Sequence, residues 1–149
     1  MRMPVTLHPV RATEPEPEPQ VEIPPLVLVV DDSASIRRMT AKIVEDAGLR
    51  AITAASGADA LELLLNGEWV PDLILSDVEM PVMDGWAFLE YVKTDDNFGH
   101  IPVVMVTSLD APQFKQKAYG LGASDYLVKP FSSAELERVC GSLLKPEPV

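Results

Sequence analysis

Short apolar runs of strand length alternate five times with stretches of helical period between residues 26 and about 144. Four of these runs are continuous and rich in leucine or β-branched residues, a pattern typical of strands buried on both faces of a parallel sheet. They are Leu26 to Val30, Leu73 to Leu75, Val103 to Val106 and Tyr126 to Val128, and a weaker run covers Arg50 to Ala54. Five strands, each followed by a helix, predict an open doubly wound α/β sheet, because parallel crossovers are right-handed and must cover both faces.

The helices are predicted from apolar side chains that recur at the spacing of one helical turn. In chain order the predicted buried stripes are Ile36, Met39, Ile43, Val44 and Ala47; Leu61, Leu64 and Leu65; Trp86, Leu89 and Val92; and Phe114, Ala118 and Leu121. Glycines at 48, 67 and 122 are placed to end three of these helices. The fifth helix is predicted from about Ser133 to Leu144, and Ser132 with Glu135 forms a capping-box pattern at its start.

Proline and glutamate dominate the first 25 residues, which contain seven of the fourteen prolines and no glycine. Such a segment cannot bury a core, so we expect an extended tail or linker, stiffened by proline and by repulsion between the glutamates. Residues 145–149 repeat this composition on a smaller scale. The sequence therefore predicts a folded domain at residues 26–144 between a Pro/Glu-rich tail at 1–25 and a short tail at 145–149.

The balance of charge disfavours two classes of partner. The chain carries 23 acidic and 12 basic residues, a net charge of -11, so a nucleic-acid backbone or an anionic membrane surface would repel it. Cys140 is the single cysteine and cannot form an internal disulfide, and two histidines give no cluster with zinc-ligand spacing. No apolar stretch approaches the ~20 residues that span a bilayer, and the N-terminus lacks the apolar core of a secretion signal. We expect a cytoplasmic protein.

Polar side chains follow the predicted strands at their carboxyl ends, the edge at which doubly wound sheets bind ligands. Asp31 and Asp32 follow the first strand, Asp77 the third, Thr107 the fourth and Lys129 the fifth. Three crowded carboxylates repel one another unless a cation neutralises them, so the pattern predicts a bound metal ion. A site of oxygen ligands without His or Cys favours Mg²⁺ or Mn²⁺ over zinc.

This set of residues indicates aspartyl-phosphate chemistry. A carboxylate held beside Mg²⁺ and an ammonium group can attack a phosphoryl group, because both cations offset the charge on the equatorial oxygens. Lys129 would then pair with one phosphoryl oxygen and the Thr107 hydroxyl would hydrogen-bond another. Ser108 is small and would leave room for the phosphoryl donor.

Four segments carry a more specific pattern. They are Val27-Leu28-Val29-Val30-Asp31-Asp32-Ser33, Leu75-Ser76-Asp77-Val78-Glu79-Met80-Pro81-Val82-Met83-Asp84-Gly85, Val106-Thr107-Ser108 and Asp125-Tyr126-Leu127-Val128-Lys129-Pro130-Phe131. In order and spacing they resemble the receiver domain of two-component response regulators, of the CheY-like kind, over residues 26 to about 144. The resemblance implies a flavodoxin-like fold with strand order 2-1-3-4-5.

The resemblance also implies roles for individual residues. Asp77 would be the phosphoacceptor, receiving its phosphoryl group from a histidine kinase or a histidine phosphotransfer domain. The implied Mg²⁺ ligands are Asp32, Asp77 and the backbone carbonyl of Glu79, with Asp31 acting through water. A cis peptide bond would join Lys129 to Pro130.

A two-state switch is implied at Thr107 and Tyr126. When Asp77 is phosphorylated, Thr107 would move toward the new oxygens and the Tyr126 ring would rotate into the vacated space. The surface of the fourth helix, fifth strand and fifth helix would change and bind a downstream protein, in chemotaxis or as the terminal receiver of a hybrid kinase. We therefore expect a signalling switch and no enzyme.

Two other functions stay open at the level of sequence. The first is an interaction module or phosphate sink that works without phosphorylation, since no output domain follows the fifth helix. The second is a haloacid dehalogenase-like phosphatase, in which an acid lies two residues after the nucleophile, as Glu79 follows Asp77. That family places its nucleophile after the first strand and carries a substrate cap, which this sequence lacks.

Two residues beside the predicted site bear on how long a phosphoryl group would persist. Glu79 adds a carboxylate there, and Leu109 offers no polar group to orient a hydrolytic water. We expect the phosphorylated form to lose its phosphate slowly.

Overall fold

Five parallel strands and five helices alternate along residues 23–144, the part of the chain that this computed structural model describes. In chain order the elements are β1 (Leu26–Val30), α1 (Ala34–Asp46), β2 (Arg50–Ala54), α2 (Gly57–Leu65), β3 (Leu73–Ser76), α3 (Gly85–Thr94), β4 (Val103–Thr107), α4 (Pro112–Gly120), β5 (Asp125–Val128) and α5 (Ser133–Leu143). The predicted tails lie outside the described residues, except for residues 23–25. Within that range no helix is long and apolar enough to cross a membrane.

The strands form one sheet in the order β2-β1-β3-β4-β5, and every neighbouring pair is parallel. This confirms the predicted doubly wound, flavodoxin-like fold. The order reverses between β1 and β3, because the chain first adds β2 on one side and then β3, β4 and β5 on the other. β2 is consequently an edge strand with only one buried residue, which explains why its sequence pattern is the weakest of the five.

Alternate residues of each strand face two separate apolar layers, because side chains of a strand point to opposite faces. Leu28 and Val30 of β1 pack in the layer that contains Phe88 of α3. Val27 and Val29 pack in the opposite layer, with residues of α1 and α5. The sheet is therefore covered on both faces, and its carboxyl edge is the part left open for a site.

Three residues predicted to be buried in helix stripes are exposed. Met39 is 42% exposed, Leu65 is 61% exposed, and Ala47 lies beyond the end of α1 as its exposed C-cap. In α1 the buried positions are Thr40 and Val44. Thr40 is not among the predicted buried residues, although four-residue spacing places it on the same face as Val44.

A tight turn joins β3 to α3 and packs directly against the carboxyl edge of the sheet. Asp84 is the N-cap of α3, and its carboxylate accepts a hydrogen bond from the Ala87 N–H at 2.9 Å. The Gly85 N–H donates to the Val78 carbonyl at 2.7 Å. A Cβ atom on Gly85 would lie 2.7 Å from the Val78 Cα and closer still to the Asp77 carbonyl oxygen. Only glycine fits at this contact.

Replacing Gly85 with alanine should therefore destabilise the fold, because the added methyl group can be accommodated only if backbone atoms move. We expect Gly85→Ala to lower the free energy of unfolding in urea by about 1–3 kcal/mol. Gly141→Ala is the matched control, since Gly141 lies in α5 with nothing within 4 Å of its Cβ position, and helix propensity should leave it equal to the native chain or slightly more stable. Equal stability of Gly85→Ala and the native chain would contradict the contact.

Candidate functional site

Backbone hydrogen bonds that continue the sheet beyond its strands position the site residues. The Asp77 N–H donates to the Val30 carbonyl at 2.9 Å, and the Lys129 N–H donates to the Thr107 carbonyl at 2.8 Å. The Asp31 N–H donates at 3.2 Å to the last residue of β2. These side chains thus leave from fixed points at the carboxyl ends of β1, β3 and β5, as their places in the sequence predict.

Three carboxylates meet at this edge. Oxygen atoms of Asp31, Asp32 and Asp77 all lie within 4.8 Å of one another. Asp31 and Asp77 are buried, with 4% and 7% of their surface exposed, whereas Asp32 is exposed to solvent. A hard divalent cation takes oxygen ligands of this kind, so the residues fit Mg²⁺ or Mn²⁺. The predicted acidic cluster is present, and it contains no histidine or cysteine ligand.

Lys129 bridges the two buried carboxylates. Its Nζ lies 2.8 Å from Oδ2 of Asp31 and 3.3 Å from Oδ2 of Asp77. The other oxygen of Asp77 accepts a hydrogen bond from the Val78 N–H at 2.7 Å. The peptide bond between Lys129 and Pro130 is cis, as the family resemblance implied. One ammonium group therefore forms ion pairs with two buried carboxylates, and both oxygens of the Asp77 carboxylate have a partner.

The electrostatics of the site disfavour the charged form of Asp77. Burial raises the pKa of Asp77, the Lys129 charge lowers it in part, and the neighbouring Asp31 raises it again. Burial on its own would lower the pKa of Lys129, but the hydrogen bond to Asp31 and the charges of both acids outweigh burial and raise it. The lysine stays charged, and the cluster lacks enough positive charge for its carboxylates.

Thr107 and Ser108 occupy the end of β4 next to this cluster. Thr107 is completely buried, and its hydroxyl oxygen accepts a hydrogen bond from the Leu109 N–H at 3.3 Å. The Ser108 hydroxyl donates a long hydrogen bond of 3.5 Å to Oε1 of Glu79. Glu79 is exposed, and its carboxylate lies at the rim of the cluster, beside the site as the sequence predicts.

Tyr126 is turned inward. Its side chain is 8% exposed, and its hydroxyl donates a hydrogen bond of 2.6 Å to the Leu109 carbonyl. Burial and the nearby charge of Asp110 raise the pKa of the tyrosine. The ring therefore packs inside the domain, on the segment that follows Thr107, rather than at the surface.

An apolar groove opens beside the acidic cluster. A cavity of about 390 Å³ is lined by Ile36, Met39, Ser108, Lys129, Pro130 and Phe131. Met39, predicted as a core residue, contributes to this groove instead. Because Lys129 lines this groove and also contacts Asp31 and Asp77, the groove borders the acidic cluster.

Arg37 was not among the residues predicted from the sequence. Its Nη1 donates a hydrogen bond of 2.7 Å to the backbone carbonyl oxygen of Asp31. The one feature of the sequence that points to this contact is a positively charged residue in the helix that follows Asp31 and Asp32. Such a residue more often lies solvated on the surface.

The raised pKa of Asp77 leads to a prediction about stability. Because the folded-state pKa lies above the unfolded value of 3.8, the folded protein binds more protons in that interval, and stability falls as the pH rises through it. With chelator present, Asp77→Asn should unfold at a higher urea concentration than the native chain at pH 7. The difference should vanish below pH 3.8.

Asp96→Asn is the control for this measurement, because Asp96 is an exposed acid on the segment after α3 and its replacement should change little. A less stable Asp77→Asn chain at pH 7 would show that the Lys129 contact outweighs burial.

Three comparisons with known proteins agree with this geometry. The family model for the response regulator receiver domain matches residues 27–140. The sensor histidine kinase CheAY of Helicobacter pylori is 34% identical over 122 residues, which cover 82% of this chain and 15% of that protein. The protein PilG of Pseudomonas aeruginosa is 37% identical over 110 residues, which cover 74% of this chain and 80% of that protein.

Solved structures give the same result. The chemotaxis response regulator CheY4 of Vibrio cholerae superposes with a TM-score of 0.75 at 38% identity, covering 81% of this chain and 99% of that one. Some relatives are longer, since the match spans 15% of CheAY and 45% of the probable transcriptional regulator ycf27 of Guillardia theta. The parallel sheet, the acidic cluster with its lysine and these matches lead to one conclusion: the chain belongs to the receiver domain family of two-component response regulators.

Proposed function

We propose that this domain switches a signalling pathway by accepting a phosphoryl group on Asp77. The observation that carries the proposal is the Lys129 ammonium, which is bonded to Asp31 and Asp77 at the carboxyl edge of the sheet. Receiver domains are signalling switches that work with histidine kinases or phosphotransfer domains, so the donor we propose is a phosphohistidine of such a partner.

In the proposed transfer, an oxygen of Asp77 forms a bond to phosphorus while the bond from phosphorus to the donor imidazole breaks. The imidazole nitrogen keeps the electron pair of the broken bond. The Val78 N–H and the Lys129 ammonium orient the Asp77 carboxylate beforehand, which removes part of the entropic cost of reaching the transition state. We propose that Lys129 also binds a phosphoryl oxygen, and the 3.3 Å distance from its Nζ to Asp77 supports this role.

The proposed metal ligands are Asp31, Asp32, Asp77 and the backbone carbonyl of Glu79, with Asp31 acting through water. Mg²⁺ bound there would supply positive charge to the phosphoryl oxygens. The same charge would offset the repulsion among the three carboxylates that the burial of Asp77 aggravates.

We infer that the output of the switch runs through Thr107 and Tyr126. Among residues 23–144, the one side-chain hydrogen bond of the Thr107 hydroxyl comes from the Leu109 N–H at 3.3 Å, which leaves the hydroxyl able to turn toward a new phosphoryl oxygen. The Tyr126 hydroxyl donates a hydrogen bond to the carbonyl of that same Leu109, so the side chains of Thr107 and Tyr126 both contact the backbone of one residue. The proposed binding face for a downstream protein consists of α4, β5 and α5.

The groove beside Lys129 is the approach that we propose for the donor. Its lining of apolar side chains next to a charged acceptor suits a helix that presents a phosphohistidine. Chemotaxis is a candidate pathway because the structurally similar CheY4 is a chemotaxis protein. The cytoplasmic setting, the domain limits at 26 and 144, the lack of enzyme activity and the absence of direct nucleic-acid binding stay predictions.

The alternatives lose support from the site. The phosphatase reading needs a nucleophile after the first strand, whereas Asp77 follows the third in a chain of the receiver family. A phosphorylation-independent interaction module has no need for a lysine held between two buried acids. Such a module is the function to expect if the native chain gains no phosphoryl group in the experiment below.

Phosphorylation is tested by intact mass after incubation with acetyl phosphate and Mg²⁺. The native chain should gain one phosphoryl group, and Asp77→Asn should gain none because the nucleophilic oxygen is replaced by an amide nitrogen. Chelator should abolish the gain in the native chain. Asp96→Asn should behave like the native chain, and phosphorylation of Asp77→Asn to the native level would overturn the proposal.

The lifetime of the phosphorylated form is a separate prediction. Leu109 lies two residues after Thr107 and has no polar group to orient water, so the phosphoryl group should persist for minutes or longer after the donor is removed. Leu109→Gln supplies such a group and should shorten this lifetime. Leu65→Gln is the control, because Leu65 is exposed on α2, and a native lifetime of seconds would contradict the prediction.

A further inference from the structure

Arg37 lies at the edge of the acidic cluster, and the proposed function gives it no role. Its Nη1 donates a hydrogen bond of 2.7 Å to the Asp31 carbonyl, six residues earlier in the chain. The side chain is half-buried and folds back over the N-terminus of its own helix. A hydrogen bond from a guanidinium group is charge-assisted and therefore stronger than one between neutral groups.

The helix itself gives no electrostatic reason for a cation at position 37. Arg37 follows the N-cap Ser33 by one turn, and the N-terminus of a helix carries a partial positive charge. The first turn of α1 contains no acidic residue that would compensate. What holds the Arg37 side chain in place therefore lies outside the helix, in the Asp31 carbonyl and the neighbouring carboxylates.

The Arg37 hydrogen bond restrains the peptide group that joins Asp31 to Asp32. The carbonyl that Arg37 holds belongs to the same planar unit as the Asp32 nitrogen, so the bond limits the direction in which the Asp32 side chain can leave the backbone. The Asp31 carboxylate has its own restraints, from the Ser33 N–H at 2.9 Å and from Lys129. Asp32 is exposed, so the orientation of its carboxylate depends more on its backbone than that of Asp31 does.

We propose that Arg37 is a positioning residue for the divalent cation site, which keeps Asp32 in place as a ligand through the Asp31 carbonyl. The inference rests on the proposed function, since it assumes that the cluster binds a metal ion. If Arg37 acted on the metal ion only through its charge, its removal would change the metal affinity in the opposite direction. A nearby positive charge repels Mg²⁺, so removing the arginine would then tighten metal binding.

Mn²⁺ binding to the purified chain distinguishes these two effects. Electron paramagnetic resonance counts the free ion directly, without any phosphoryl transfer. Arg37→Ala should weaken Mn²⁺ binding by about tenfold, the size of effect found when a residue that orients a metal ligand is lost. Arg37→Lys retains a charge and a donor and should recover part of that affinity. Arg37→Met, which keeps the aliphatic packing without a donor, replaces the alanine variant if circular dichroism shows that the latter is unfolded.

Arg38→Ala is the matched control. Arg38 is the next residue of the same helix and is exposed, so its removal takes away an equal charge without the bond to Asp31. Mn²⁺ should bind this variant as tightly as the native chain or more tightly. Equal weakening by Arg38→Ala and Arg37→Ala would overturn the inference, because the effect would then be one of general charge.

Phosphorylation by acetyl phosphate supplies the second readout. Arg37→Ala should react slowly at limiting Mg²⁺ and approach the native rate at saturating Mg²⁺, because only metal binding is impaired. A folded Arg37→Ala chain that binds Mn²⁺ as tightly as the native chain overturns the inference but leaves the proposed function intact if the native chain is phosphorylated. A native chain that neither binds Mn²⁺ nor accepts a phosphoryl group overturns both.

Discussion

The Lys129 ammonium group makes it possible for two carboxylates to lie buried at one edge of the sheet. An isolated buried charge costs several kcal/mol, and a pair is tolerated only when its hydrogen bonds are good. Lys129 contacts Asp31 at 2.8 Å and Asp77 at 3.3 Å. The exposed Asp32 adds a third negative charge, so the lysine alone leaves the cluster short of positive charge. This deficit suits the site to a divalent cation.

Much of this arrangement could be predicted because it follows from strand periodicity. The apolar runs fix the strands, parallel strands bring their carboxyl ends to one edge, and Asp31, Asp77 and Lys129 follow three of those strands. The capping box of Ser132 and Glu135 is likewise predictable from the sequence, since it depends on local spacing alone, and it is present at the start of α5. The fold, the acidic cluster and its proximity to the lysine are thus properties of local pattern and topology.

Other features depend on how side chains reach across the structure, and periodicity does not contain that information. Met39 has helical spacing but lies beside the groove at Lys129, and Thr40 is buried in its place. The contact from Arg37 to the Asp31 carbonyl requires a long side chain to fold back on its own helix. The inward position of Tyr126, bonded to the Leu109 carbonyl, depends on a conformation of the β4–α4 segment that no local pattern specifies.

The proposed switch requires that Asp77, rather than Asp31 or Asp32, accepts the phosphoryl group, although oxygens of all three lie within 4.8 Å of one another. The most direct test is to reduce the phosphorylated chain with borohydride, which converts an acyl phosphate of aspartate to homoserine, and to locate the homoserine by peptide mass spectrometry. Phosphorylation of Asp77 should give homoserine at position 77 alone. Homoserine at position 31 or 32 would contradict it.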